Sequence, residues 1–210
     1  MDTQRRLSFL IADDHSIVRQ GVVLIIEEMY TDAEIHHAAT LEQTHDLILN
    51  NSFDVAILDI QFQDGNCIDI LPEIRKKRPE MRIMMFSSCP EETHALRYYE
   101  ADANGYLNKL SDEETIRKAL LQIIEKGSYS SPTVQQLFIR KMRDPDYDQP
   151  LRKLSERELE VAKLYADGLG NLEIANHLDI KQSTVSTLKM RIFKKLKINN
   201  LVELIDLMKE

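Results

Sequence analysis

Val55-Ala56-Ile57-Leu58-Asp59-Ile60 is the stretch that decides the fold. A short, continuous apolar run that ends on a carboxylate suits a strand buried on both faces, as strands are in a parallel sheet. The pattern recurs along the chain. Leu7-Ser8-Phe9-Leu10-Ile11-Ala12 runs into Asp13 and Asp14, Ile83-Met84-Met85-Phe86 into Ser87, and Asn104-Gly105-Tyr106-Leu107-Asn108 into Lys109. Strand candidates at 7–12, 33–38, 54–58, 82–87 and 104–107 alternate with helical patterns at 15–29, 41–50, 66–78, 91–101 and 112–126. This alternation predicts an α/β fold with a five-stranded, doubly wound parallel sheet and right-handed crossovers. Ser111-Asp112-Glu113-Glu114 reads as a capping box led by Ser111, and Gly127 as the residue that ends the fifth helix.

In such a sheet functional groups gather outside the carboxyl ends of the strands. Asp13, Asp14, Asp59, Ser87 and Lys109 are distant in sequence, yet each follows a strand candidate, so all five are expected at one edge. Three carboxylates, a hydroxyl and an ammonium form a site for Mg²⁺ and a phosphoryl group. A carboxylate can act as nucleophile toward phosphorus, and Mg²⁺ takes oxygen ligands. A lysine adds a compact positive charge on the phosphoryl oxygens.

The chain of 210 residues carries a net charge of −8, unevenly spread. Residues 151–210 hold 11 Lys/Arg against 9 Asp/Glu and net +2, which leaves −10 on residues 1–150. An acidic front and a basic back suggest separate partners. No apolar run is long enough to span a bilayer, the amino terminus lacks a signal-peptide layout, and two cysteines make neither a disulfide framework nor a zinc site. The expectation is a cytoplasmic protein with reduced thiols and no membrane partner.

Three domains of behaviour follow: 1–127 as the sheet domain, 128–150 as a linker with an embedded helix at 132–143, and 151–210 as a smaller all-α domain. The run from Asp144 to Pro150 reads as flexible. In the last part Ser155 and Glu158 form a capping box, a short helix covers 171–178, a turn follows at 179–182, and a helix runs from about Ser183 to Lys197. Between Thr184 and Lys197 lie five basic residues and no acid. This is a helix-turn-helix pattern whose second helix enters the DNA major groove. Its amino terminus near Thr184 suits phosphate. By spacing, Ser186, Thr187 and Met190 face base edges, while Lys189, Arg191, Lys194 and Lys195 reach phosphates. The stripe Leu201, Val202, Leu204, Ile205 and Met208 on the final helix reads as core.

Residues 5–127 resemble the receiver domain of two-component response regulators, through Leu-Ile-Ala-Asp-Asp-His-Ser (10–16), Val-Ala-Ile-Leu-Asp-Ile (55–60), Met-Met-Phe-Ser-Ser (84–88) and Gly-Tyr-Leu-Asn-Lys (105–109). Residues 151–210 resemble the LuxR-type helix-turn-helix domain, through 154–161, 166–175, Ser-Thr-Val (183–185) and Lys194-Lys195-Leu196. The whole chain is thus similar to the NarL/FixJ class, with a flavodoxin-like receiver. The resemblance implies Asp59 as phosphoacceptor and Asp13, Asp14, Asp59 and the Gln61 carbonyl around Mg²⁺. It also implies Ser87, Tyr106 and Lys109 in phosphoryl binding and switching, and Leu201, Ile205 and Met208 in dimerisation. The implied partners are a sensor histidine kinase, double-stranded DNA and a second copy of the chain, with RNA polymerase as a further candidate. Gln63, Cys67, Ser186, Leu188 and Leu201 depart from residues common in the family. Two alternatives stand beside this reading. One is a regulator that binds DNA without phosphorylation; the other is an Asp-nucleophile phosphohydrolase, which lacks its second carboxylate because Gln61 occupies that place. His15 reads as a helix-start residue, and His36-His37 as structural because neighbours on a strand point to opposite faces.

Overall fold

The computed structural model describes residues 6–145, 147 and 149–209. Two of the positions in the expected flexible run, Asp146 and Asp148, lie outside the described residues. The chain divides into a compact unit ending at Ile139 and a second one from Arg140 onward.

In the first unit, strands β1 (Ser8–Ala12), β2 (Glu34–Ala38), β3 (Val55–Leu58), β6 (Arg82–Ser87) and β7 (Gly105–Asn108) form one parallel sheet in the order β2-β1-β3-β6-β7. A separate two-residue ladder joins β4 (Gln61–Phe62) to β5 (Gly65–Asn66), antiparallel. The crossovers are α1 (Ser16–Met29), α2 (Leu41–Asn50), α3 (Leu71–Lys77), α4 (Glu91–Glu100) and α5 (Glu113–Lys126). Strands β1, β3, β6 and β7 are largely apolar and buried, because both faces of the sheet are covered there, whereas the edge strand β2 reads Glu-Ile-His-His-Ala and buries only Ala38. Leu10, Ala56, Leu58, Ile83 and Met85 pack under α2, α3 and α4 against Ile48, Leu71, Ile74 and Tyr98. Phe9, Ile11, Ile57, Met84 and Leu107 pack under α1 and α5 against Val22, Ile26, Leu120 and Ile123. Each fully buried Leu, Ile or Phe contributes roughly 1.5–3 kcal/mol over exposure.

Local signals place the helix ends. Thr40 accepts the Gln43 N–H at the start of α2. The cap of α5 is Asp112, which accepts the Thr115 N–H at 2.8 Å, and not Ser111 as the sequence suggested. The Asp112 carboxylate, one residue later, reaches the free N–H groups of the first turn. The region expected as one helix over 66–78 is a short 3-10 turn at Cys67–Asp69 followed by α3. The helix expected inside the linker is α6 (Pro132–Arg143). Its first half belongs to the first unit's core: Val134 is fully buried there, and Phe138 meets Tyr99 edge-on at 5.0 Å.

The second unit contains α7 (Glu156–Ala166), α8 (Asn171–His177), α9 (Gln182–Leu196) and α10 (Leu201–Lys209) around Val161, Tyr165, Ile174, Val185, Ile192 and Leu204. Asp179, between α8 and α9, takes the left-handed conformation at φ 50°, and the Ile180 N–H returns to Ala175 O at 2.9 Å. That closes the tight turn of a helix-turn-helix.

Gly127 ends α5 at φ 78°, and its carbonyl accepts the Asn104 amide at 3.0 Å. A Cβ there would touch nothing within 4 Å, so Gly127→Ala isolates the backbone strain. Urea denaturation is expected to show a loss of about 1 kcal/mol; an unchanged midpoint would contradict the left-handed cap.

Candidate phosphoryl site and DNA-facing helix

The strand order reverses between β1 and β3, and the carboxyl ends of those strands open beside each other. Backbone hydrogen bonds carry the ladder one residue past the strands. Asp13 N donates to Ala38 O at 3.2 Å, Asp59 N to Ala12 O at 2.8 Å, and Lys109 N to Ser87 O at 2.9 Å. The functional residues are therefore fixed by the sheet itself.

Above them is a cleft of about 330 Å³ lined by Asp14, Asp59, Gln61, Ser87, Lys109 and the rim around His15 and Cys89. Lys109 Nζ lies 2.7 Å from Asp59 Oδ2 and 2.6 Å from Asp13 Oδ2. Asp59 and Asp13 are 5% and 2% exposed, so one ammonium serves two nearly buried carboxylates. Burial pushes the Asp59 carboxyl up; the Lys109 hydrogen bond and charge pull against it, Asp13 adds to the rise, and the net shift is upward. Burial acts to lower Lys109, but its close contacts with the Asp13 and Asp59 carboxylates outweigh this and hold the ammonium above its ordinary value.

The residues fit a hard divalent cation. Asp13, Asp14, His15 and Asp59 each present a ligand atom within 4.8 Å of the others. Lys109 approaches Asp13 Oδ2 and His15 Nδ1 approaches Asp14 Oδ1 at 2.6 Å each, yet neither buried oxygen receives an aligned hydrogen bond. Three carboxylates facing one lysine leave negative charge for a metal to neutralise, and oxygen donors suit Mg²⁺.

The structure brings Asp13, Asp14, Asp59, Ser87 and Lys109 together, with Gln61 at the rim. Ser87 Oγ accepts the Cys89 N–H at 3.3 Å. Tyr106 does not line the cleft. It is wholly buried, tilts against Tyr98 at 6.2 Å and donates its hydroxyl to the Cys89 carbonyl at 2.9 Å, two residues beyond Ser87. One participant was given only its structural role in the sequence, and another was missed. His15 starts α1 as expected, but its ring also sits against the acidic pair. Asp64 grips the amino terminus of α2 with both oxygens, at 2.9 Å from Leu41 N and 3.1 Å from Glu42 N, which lowers its pKa. Asn66, closing the same β4–β5 ladder, accepts the Tyr98 hydroxyl at 3.0 Å. The loop carrying Gln61 is thus fastened at both sides, by contacts between residues 22 and 32 positions apart.

On α9 the inward residues are Val185, Leu188, Ile192 and Leu196. Thr184, Thr187, Met190, Arg191 and Lys194 are exposed. Three residues expected to face DNA freely are engaged within the unit. Lys195 Nζ lies 2.6 Å from Glu158 Oε2, which also accepts the Ser155 N–H of the capping box. Lys189 Nζ stands over the rings of Tyr165 and Phe193, at 5.4 and 5.5 Å. Ser186 bonds Asn171 and the Gln182 carbonyl, each at 3.2 Å. Ser183, omitted by the sequence reading, is exposed one turn before Thr187. On α10, Leu201 and Met208 rest partly on the core, Ile205 is half-buried, Leu204 is fully buried, and Val202 is 66% exposed.

Two stability predictions follow from these charges. Asp59 binds its proton more tightly folded than unfolded. Its contribution is therefore most favourable below the ordinary carboxyl value of 3.8 and is lost as pH rises through the raised one. Asp59→Asn should raise the melting temperature at neutral pH, with the gain shrinking as pH falls to about 4. Thermal denaturation across that range checks it, and a lower Tm at neutral pH would contradict it. Glu158 is the opposite case: Lys195 and then the Ser155 N–H hold its pKa down, so its contribution is present above the ordinary value and lost as pH falls through the lowered one. Glu158→Ala is expected to destabilise the second unit at neutral pH by about 1–2 kcal/mol, as read by urea melts.

The model of the response regulator receiver domain matches residues 9–121, and that of bacterial regulatory proteins of the luxR family matches residues 152–208. The Fimbriae Z protein of Salmonella typhimurium is 30% identical over 95% of this chain and 94% of its own. The nitrate/nitrite response regulator NarL of Escherichia coli K12 is 29% identical over 97% and 95%. A solved structure of the RcsB response regulator from Salmonella typhimurium superposes with a TM-score of 0.82 at 22% identity, covering 98% of this chain and 100% of the other.

Proposed function

The chain belongs to the NarL/FixJ class of DNA-binding two-component response regulators, and from that we propose that a sensor histidine kinase phosphorylates Asp59 and so controls promoter binding. Members of the class are transcription regulators and not enzymes, which removes the phosphohydrolase alternative. The observation that carries the proposal is the Lys109–Asp59 contact of 2.7 Å at the floor of an open acidic cleft.

In the proposed step an Asp59 carboxylate oxygen attacks the phosphorus of a phosphohistidine. The new O–P bond forms as the P–N bond breaks, and the imidazole leaves. Lys109 neutralises the phosphoryl oxygens, and the Ser87 hydroxyl donates to one of them. Asp13, Asp14 and Asp59, with the Gln61 carbonyl, would hold Mg²⁺. When bound, that ion supplies neutralisation of charge on the phosphoryl group.

The added charge of about −1.5 to −2 draws on Ser87 and Lys109. Ser87 is linked through Cys89 to the Tyr106 hydroxyl, so a shift of Ser87 is felt by a fully buried ring. We take this as the route by which phosphorylation favours a homodimer. The dimer would bind double-stranded DNA through α9, with α10 contributing Leu201, Ile205 and Met208 to the contact between copies. RNA polymerase is the partner that transcription control would engage. No helix among the described residues is long and apolar enough to cross a membrane, and we place the protein in the cytoplasm with its DNA.

With Mg²⁺ and acetyl phosphate as donor, the wild-type protein should acquire a hydroxylamine-labile phosphate, and Asp59→Ala should acquire none. Label that persists in the variant would move the acceptor elsewhere. DNA affinity with and without beryllofluoride then decides whether binding depends on phosphorylation at all.

A further inference from the structure

We infer that α9 recognises thymine, through the methyl end of Thr187 and the thioether chain of Met190, instead of selecting guanine with a basic side chain. This rests on the reading of α9 as the DNA-facing helix and specifies which base chemistry it selects.

The face of α9 opposite its buried residues consists of Ser183, Thr187, Met190 and Lys194, spaced by four, three and four positions. Helical periodicity puts these four on one stripe. Met190 is 69% exposed in the middle of it. A large apolar side chain so open to water, inside a segment of five cations and no acid, gains nothing from the domain's own core.

Four of the polar side chains near Met190 are already engaged within the domain. The Thr187 hydroxyl donates to Ser183 O at 2.9 Å, so its γ-methyl is the group left without a polar role. Ser186 is held by Asn171 and Gln182, Lys189 stands over two aromatic rings, and Lys195 is paired with Glu158. The centre of the stripe therefore presents carbon and sulfur. Arg191 and Lys194, both exposed, flank it and match the charge of phosphates.

On the major-groove edge of a base pair, the thymine C5-methyl is the apolar group that such a surface can bury. Guanine O6 and N7 and adenine N7 are acceptors, and covering one with a thioether leaves it without its water. A flexible thioether also adapts its shape to a neighbouring methyl.

The test uses full-length protein with beryllofluoride and in vitro selection from randomised duplexes. Affinity is then measured on the selected duplex with each thymine replaced in turn by uracil, which removes only the methyl. At one or two positions the replacement is expected to weaken binding about fourfold each. In Met190→Ala, whose side chain is exposed, one of those penalties should vanish. In Met190→Lys the preference at that position should move from thymine toward guanine. Equal affinity for uracil and thymine at every position would overturn the inference, as would penalties that all survive in Met190→Ala. A selection that enriches no duplex, together with no salt-dependent binding to any, would sink the DNA reading of α9 itself.

Discussion

The structure turns on one lysine shared by two carboxylates. Lys109 closes on Asp59 and Asp13 at the carboxyl edge of the sheet, where all three are largely removed from water. Removing charges from water costs several kcal/mol per ion, so a fold selected only for stability would fill this position with apolar groups. The upward shift of Asp59 records the unrelieved part of that cost. What the arrangement provides is an anionic pocket whose backbone is fixed by three parallel ladders, with its charged side chains held at the sheet edge.

Much of this was legible in the residues. Apolar runs ending in Asp, Ser or Lys marked four of the five strands of the sheet, and the rule that parallel strands present their carboxyl ends to ligands brought residues 13, 59, 87 and 109 to one place. Some helix ends were equally readable, because caps such as Ser155 with Glu158, and Gly127 in its left-handed conformation, act within a few residues of themselves. Patterns of that range survive in a linear reading.

Long-range side-chain contacts did not. The β4–β5 ladder pairs only two residues on each side and carries no alternation to detect. Lys189 and Lys195 look like any other cations of a basic helix, yet their ammonium groups end against Tyr165 and Glu158, partners on another helix. Charge can be counted from a sequence; the direction in which a four-carbon stem folds cannot. The same limit hid Asp64, whose task lies at the start of α2.

That grip of Asp64 on α2 bears on how the receiver can diverge. Family members commonly place proline and glycine where this chain has Gln63 and Cys67, residues that stiffen or tighten the loop from within. Here the constraint is external, a strut from the loop to a neighbouring helix, and the intervening positions are released from that duty. Segments 40–42 and 61–67 consequently form one heritable module. A chimera that grafted either without the other would keep Asp13, Asp14, Asp59, Ser87 and Lys109 and still lose the scaffolding that holds the loop in register.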